Sequence, residues 1–273
     1  MFNIIYYFNF IYIYIYMNIE HLVIIRFSVI FKNRPEFKKL ENNLFNKDRL
    51  DLRFNLFEKF CLWSIVNQSL KNFKVILIHD KNLPIEYLNK LINLTKDYKY
   101  IILHEWNINE CIHTNEWLQK YVDKSKELLI TSRFDDDDII RVNLNEEMYD
   151  YINRKKKYIK KNNIISFANG KFIYIDNNDD YSISNCCYKK SVGIWLSHIA
   201  DIKSNINIYS YDHSRIKDIR IFNLKLNFGW GCINHEYGND NRIIRMKQKY
   251  KNSIEKTNLK KIYNLFGYLN YID

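Results

Sequence analysis

Four short apolar runs recur along the first half of the chain: HLVIIRFSVIF (21–31), FKVILIHD (73–80), YIILHEW (100–106) and ELLITSRF (127–134). Each has strand length, and the first is apolar almost without interruption. That pattern suits strands covered on both faces in a mainly parallel sheet, not strands with one wet face. Amphipathic segments separate the runs. In RLDLRFNLFEKFCLWSIVNQSL (49–70), Leu56, Phe60, Trp63 and Leu70 fall near helical spacing, which predicts a helix of about 15 residues packed on the sheet. PIEYLNKLINLTKDY (84–98) reads as a second amphipathic helix, and a polar helix is expected around Thr114–Lys124. The first half therefore reads β-α-β-α-β-α-β, the alternation of a doubly wound α/β domain, in which ligands sit at the carboxyl ends of strands.

The fourth run ends in ITSRFDDDDII (130–140), where Asp135 to Asp138 stand in a row behind Arg133. Adjacent like charges stay ionised in a partly buried site only if something positive compensates them. Strand alternation would put Asp135 and Asp137 on one face and Asp136 and Asp138 on the other, leaving Asp136 the most easily spared. Two hard oxygen donors on one face at a strand end suit Mg²⁺ or Mn²⁺, whereas an acidic surface turn is the alternative. A D-x-D pair suits glycosyl transfer from a nucleoside-diphosphate sugar, because a divalent cation neutralises the charge of the leaving diphosphate. Asp80 ends the second strand in the same way. The chain has no G-x-x-x-x-G-K-[ST] and no G-x-G-x-x-G, which counts against P-loop and dinucleotide-binding readings.

Further along, NLNEEMYDYINRKKKYI (143–159) reads as a helix and NIISFANGKFIYID (163–176) as a hairpin turning at Asn169-Gly170. A Gly- and aromatic-rich loop, LNFGWGCINHEYGND (226–240), precedes a basic amphipathic closing helix. The net charge of +11 asks for an anionic partner, yet the basic blocks lack the aromatic interleaving or module spacing of nucleic-acid binders. Five cysteines without a C-x-x-C pair read as a reduced, intracellular chain with no zinc site. Residues 1–16 form an apolar, low-complexity extension that is short for a spanning helix and lacks a signal-peptide n-region. The expected division is this extension, a domain over 17–241 and a basic C-terminal helix over 242–273.

RFNLFEKFCLWSIVNQSLKNFKVILIHDKNLP (53–84), ITSRFDDDDII (130–140), YDHSRI (211–216) and FGWGCINHEYGN (228–239) together resemble a rhamnosyltransferase family. Its pattern has an R-F at the first strand, L-F-E-x-x-C-x-x-S-x-x-x-Q, F-x-x-x-x-x-x-D-x-x-L-P, S-R-[LF]-D-x-D-D and a late W-x-x-x-x-H-x-x-N. The match runs from about His21 to Asn241, with Trp63 standing where a proline is common. The resemblance implies a GT-A fold with an acceptor-side C-terminal portion, and a sugar, rhamnose by the family's label, moved from a nucleoside-diphosphate donor to a glycan or lipid-linked acceptor. It also implies residue roles. Asp135 and Asp137 would hold Mn²⁺ or Mg²⁺, with His235 as a third metal or pyrophosphate contact or a loop hydrogen bonder. Asp138 would support them or act on the sugar hydroxyls as the catalytic carboxylate. Arg26 would bind donor, and Arg133 would touch phosphate or serve as counter-charge. Asp80 would reach the base or ribose, or cap its turn, and Trp230 would wall the pocket or pack in the core. His213, with Arg215, would face the diphosphate or shape a turn. Asp176, Asp179, Asp180 and Asp201 are open as bases for an inverting reaction. The expected location is cytoplasmic, with the basic tail able to touch anionic membrane. A non-catalytic sugar- or nucleotide-binding module of the same fold is the competing reading.

Overall fold

The computed structural model describes residues 18–29, 31, 44–155, 157–159, 161–176, 180–187, 192–213, 215–235 and 253–267. The apolar extension 1–16 and most of the basic stretch that opens at Arg242 lie outside the described residues. The four apolar runs form β1 (Ile19–Phe27), β2 (Lys74–Asp80), β3 (Ile101–Trp106) and β4 (Leu128–Asp135). All are parallel, with β4 on one side of β1 and β2 then β3 on the other. The sheet thus changes direction of growth at β1, which opens a crevice beyond the carboxyl ends of β1 and β4.

Alternation along β1 accounts for its unbroken hydrophobicity. Val23, Ile25 and Phe27 enter one core cluster with Phe54, Phe57 and Phe134, while Leu22 and Ile24 enter another with Ile76, Ile78 and Trp106. Each such side chain contributes about 1.5–3 kcal/mol relative to exposure, and β1 is covered on both faces, as read from the sequence. Helix α1 (Lys47–Leu56) starts at Asn46, whose side chain accepts the Arg49 N–H at 3.2 Å. It runs through a π-helical turn (Phe57–Leu62) into α2 (Trp63–Val66), a longer element than expected. The turn keeps Phe57, Phe60 and Cys61 all buried, Phe57 and Cys61 in the first cluster and Phe60 in another with Ile139 and Ile173. Helix α3 (Ile85–Thr95) follows β2.

Two expectations are corrected. Residues 114–124 form turns and no helix. Asn115 and the buried Asn207 tie that stretch to 204–206 and 112–114 through side-chain amide bonds to backbone carbonyls, which supplies partners that a helix would otherwise provide. The 163–176 hairpin does not form: β5 (Ile139–Ile140) and helix α4 (Leu144–Arg154) are followed by β6 (Asn163–Phe167) in the first sheet and β7 (Asn169–Ile175) in a second. Gly170 sits within β7 because a Cβ there would come within 2.2 Å of the Trp230 ring, a close-approach requirement and not a turn. The stretch around 190–201, unassigned from sequence, supplies β9 (Leu196–Asp201), which runs antiparallel between β4 and β6.

With β10 (Arg220–Leu224), the first sheet has the order β10-β6-β9-β4-β1-β2-β3 and is mixed but largely parallel. The second joins β8 (Tyr181–Cys187), β11 (Trp230–Asn234) and β12 (Glu255–Thr257) in the order β12-β8-β7-β11-β5. Helix α5 (Leu259–Gly267) packs Ile262 and Phe266 into a third cluster with Ile139, Phe228 and Ile233. So the part of the closing basic segment that is described is a strand and then a helix. Among the described residues no helix is long and apolar enough to cross a membrane.

One buried polar element of this core has a measurable consequence. His21, in β1, bonds through Nε2 to Ser132 Oγ at 2.8 Å and lies against Phe73, Tyr149 and Trp195. Burial pushes its imidazole from 6.5 down to about 3. Between those values the unfolded chain binds a proton that the folded chain refuses, so the fold loses stability as pH falls. Compared with His21→Gln, the wild type is expected to lose about 1.4 kcal/mol per pH unit from pH 6.5 to pH 4. Denaturant titrations of both proteins across that range check this, and the difference cancels the other titrating groups. Parallel curves would contradict a neutral buried His21.

Candidate active site

Beyond β1 and β4 lies a cavity of about 240 Å³, lined by Val29, Phe31 and Leu44 together with arginines and aspartates. Arg26 and Asp135 are register partners across β1 and β4, so the two strands deliver opposite charges to the same point. Arg26 Nη2 donates to Asp135 Oδ1 at 2.8 Å, and Arg133 Nη2 donates to Asp135 Oδ2 at 3.3 Å. Arg133 Nη1 lies 3.1 Å from His213 Nδ1. Both guanidinium groups sit over the Tyr209 ring, at 5.2 and 5.3 Å from its centroid.

Strand β4 stops at Asp135, and the backbone then turns, with the Asp138 N–H donating to the Asp135 carbonyl at 3.3 Å. Strand alternation therefore does not extend over the acidic run. Asp136, expected on the opposite face and thought dispensable, lines the same cavity as Asp135 and Asp137. Only 2% exposed, it accepts hydrogen bonds from both Nε and Nη2 of Arg53 in a fork. Arg53 comes from α1, one turn before the π-helical segment. Its Nη1 donates to Asp137 Oδ2 at 2.5 Å and stands 3.4 Å from His235 Nε2. His235 Nε2 in turn lies 3.0 Å from Asp137 Oδ2.

The electrostatics divide into two halves. Burial favours the neutral acid at Asp135, but Arg26 and Arg133 outweigh it and hold the carboxyl well below the usual range. Burial acts likewise on Asp137, and there Arg53 and His235 reverse it. Asp138 has no such help: burial and the charges of Asp137 and Asp135 push its carboxyl well up. On the β1/β4 side two arginines meet one carboxylate; on the α1 side one arginine meets two. Arg49 lines the cavity as well, donating from Nη1 to Ser28 Oγ at 3.1 Å and the Leu44 carbonyl at 2.8 Å.

Of the residues singled out from sequence, Arg26, Arg133, Asp135, Asp137, His213 and His235 are brought together here. Three are not. Asp138 is buried behind the turn, accepts the Ile233 N–H at 3.3 Å and does not line the cavity. Trp230 is fully buried, donates to the Phe167 carbonyl at 2.9 Å and covers Gly170, so it is a core residue and no pocket wall. Asp80 accepts the Asn82 N–H at 2.9 Å in the turn after β2 and stands apart from the cavity lining. Asp176 and Asp180 close a turn on each other, and Asp201 pairs with Lys161 at the far end of β9. Arg53, Arg49 and Tyr209 were not picked out as site residues. Arg53 had a signal, since a run of buried aspartates requires cations and α1 carries Arg49 and Arg53 one turn apart; Tyr209 had none.

Among the described residues, no three His, Cys, Asp or Glu side chains stand together so as to hold a metal ion. The donor types nevertheless fit one. Asp137 Oδ2 and His235 Nε2 are 3.0 Å apart, close to the roughly 3 Å between neighbouring ligands of an octahedral ion with bonds of about 2.1 Å. A guanidinium nitrogen of Arg53 already faces both of them, so this corner accommodates positive charge.

Residues 20–244 match the sequence family described as Putative rhamnosyl transferase. No curated protein matches the chain. Among solved structures it is similar to S. aureus TarS 1–349 in complex with UDP-GlcNAc, at 9% identity and a TM-score of 0.41, covering 80% of this chain and 59% of that one. It is also similar to 4-diphosphocytidyl-2C-methyl-D-erythritol synthase from Anaerococcus prevotii, at 12% identity and a TM-score of 0.38, covering 85% and 98%. Mouse xyloside xylosyltransferase 1 follows at 9% identity and a TM-score of 0.29, covering 55% and 53%.

Proposed function

The chain belongs to the Putative rhamnosyl transferase family, and from that membership we propose that it is a glycosyltransferase of GT-A type. Its donor is a nucleoside-diphosphate sugar, with a deoxyhexose such as rhamnose as the transferred group, and its acceptor a glycan or lipid-linked hydroxyl. The observation that carries this reading is the pairing of Arg26 with Asp135 at the switch point of the sheet, beside Asp137 and His235. A diphosphate bound there meets the excess positive charge of Arg26 and Arg133, and charge-assisted bonds to phosphate are among the stronger polar contacts. Val29, Phe31 and Leu44 offer an apolar wall for the base.

Asp137 and His235 would hold Mn²⁺ or Mg²⁺, with Asp135 lining the same cavity. The ion would supply charge neutralisation of the leaving nucleoside diphosphate. Arg53 would hold Asp136 through its forked contact. Arg26 and Arg133 fix the diphosphate in place. The competing reading, a binding module without turnover, is favoured by one observation: every carboxylate lining the cavity is ion-paired to an arginine. The test is donor turnover. With Mn²⁺ or Mg²⁺ present, UDP- and dTDP-linked sugars are expected to be hydrolysed or transferred at rates that chelation abolishes. Tight nucleotide binding with no turnover of any donor would select the binding module.

A further inference from the structure

Tyr209 lies outside every sequence motif of the site, yet both arginines of its positive half rest on its ring, with Arg26 at 5.2 Å and Arg133 at 5.3 Å from the centroid. They arrive from different strands. Ile24 of β1 is the register partner of Arg133, and Arg26 that of Asp135, so the two side chains rise side by side on the same edge. Two guanidinium groups this close repel each other, and the single carboxylate they share, Asp135, cancels only one of the two charges. Asp137 adds an attraction on Arg26, and the negative face of the Tyr209 ring lies against both guanidinium groups.

The ring is held so that it can do this. Tyr209 belongs to a single 3₁₀ turn (Ile208–Ser210) capped by Asn207. The fully buried Asn207 side chain accepts the Tyr209 N–H at 2.8 Å and donates to the carbonyls of Ile112 and Thr114 at 3.0 and 2.9 Å. The Ile208 N–H donates to Thr131 Oγ1 of β4 at 2.9 Å, and the Tyr209 hydroxyl reaches the Ile24 carbonyl of β1 at 3.4 Å. The turn is therefore tied to both strands that carry the arginines, and the ring is only 5% exposed.

We infer that Tyr209 is a positioning residue: its ring is the shared platform that keeps Arg26 and Arg133 side by side and ready for the two phosphates of a nucleoside-diphosphate donor. This rests on the donor class proposed above. Without the ring, the arginines spread apart to relieve their repulsion, and the diphosphate loses two convergent contacts at once. A side chain that merely fills space would leave affinity unchanged in the folded protein, because Leu can meet the same carbon contacts.

The experiment is calorimetric titration of UDP and dTDP into wild type, Tyr209→Leu and Tyr209→Phe, each well below its melting temperature. The leucine variant is expected to bind about tenfold more weakly. The phenylalanine variant keeps the ring, so it should bind within about threefold of wild type. Equal affinity of wild type and Tyr209→Leu overturns the inference while leaving the donor reading intact. Should the leucine variant not fold, Tyr209→Phe decides alone: weakening by tenfold or more assigns the effect to the hydroxyl and overturns the platform. A wild type that binds neither nucleotide removes the donor reading and the inference with it.

Discussion

Asp137→Asn is expected to lower sugar transfer by roughly a thousandfold while leaving the fold in place. Asp137 is the carboxylate that both His235 Nε2 and Arg53 Nη1 reach, at 3.0 and 2.5 Å. Asparagine keeps an oxygen for Arg53 but removes the negative charge that a divalent cation requires. It also relieves part of the repulsion that pushes Asp138 towards its neutral form, which offsets some of the lost ion pair. The melting temperature should therefore move by only a few degrees, about 2–4 °C per kcal/mol in a chain of this size. Initial rates with saturating Mn²⁺, set beside thermal unfolding of the same samples, check both halves. A variant that retains more than about a tenth of the rate would exclude Asp137 from the reaction.

Arg53 carries the largest stability effect. In Arg53→Met the buried Asp136 loses both donors of its fork, and Asp137 loses one of its own. Removing one partner of a buried ion pair costs about 3–5 kcal/mol, because the remaining charge stays desolvated without compensation. The melting temperature should fall by roughly 10 °C. Adding Asp136→Asn removes the stranded charge, so the double variant should recover at least about 2 kcal/mol of the loss. Denaturant unfolding of the two single variants and the double variant completes the cycle. A loss below about 1 kcal/mol in Arg53→Met would mean that the forked contact is solvent-screened.

The contrast between these residues shows how far the chain can be read without coordinates. The parallel strands β1 to β4 are legible because each is a run of Val, Ile and Leu too continuous for a half-exposed strand, and their order with the helices points to the edge that holds the cavity. Asp135 and Asp137 become candidates from that edge, while His235 and Arg26 come from the family resemblance. Asp136 was misjudged because alternation was carried past the last strand residue into a tight turn, where side chains no longer obey a period of two. Trp230 and Gly170 have the composition of a loop and a turn, yet one ring covering one glycine joins two strands from distant parts of the chain. The insertion of β9 between β4 and β6 and the placing of Tyr209 beneath two arginines also depend on pairings more than thirty residues apart, which leave no local periodic signal.

The central claim is that Asp137 and His235, at the crevice between β1 and β4, bind a divalent cation together with a nucleoside diphosphate. Calorimetric titration of UDP and dTDP with and without Mn²⁺, repeated on Asp137→Asn, tests it most directly. Wild-type binding is expected to strengthen at least tenfold with Mn²⁺, and in the variant Mn²⁺ is expected to make no difference. Affinity that is the same with and without the metal, or equal Mn²⁺ enhancement in the variant, would contradict it.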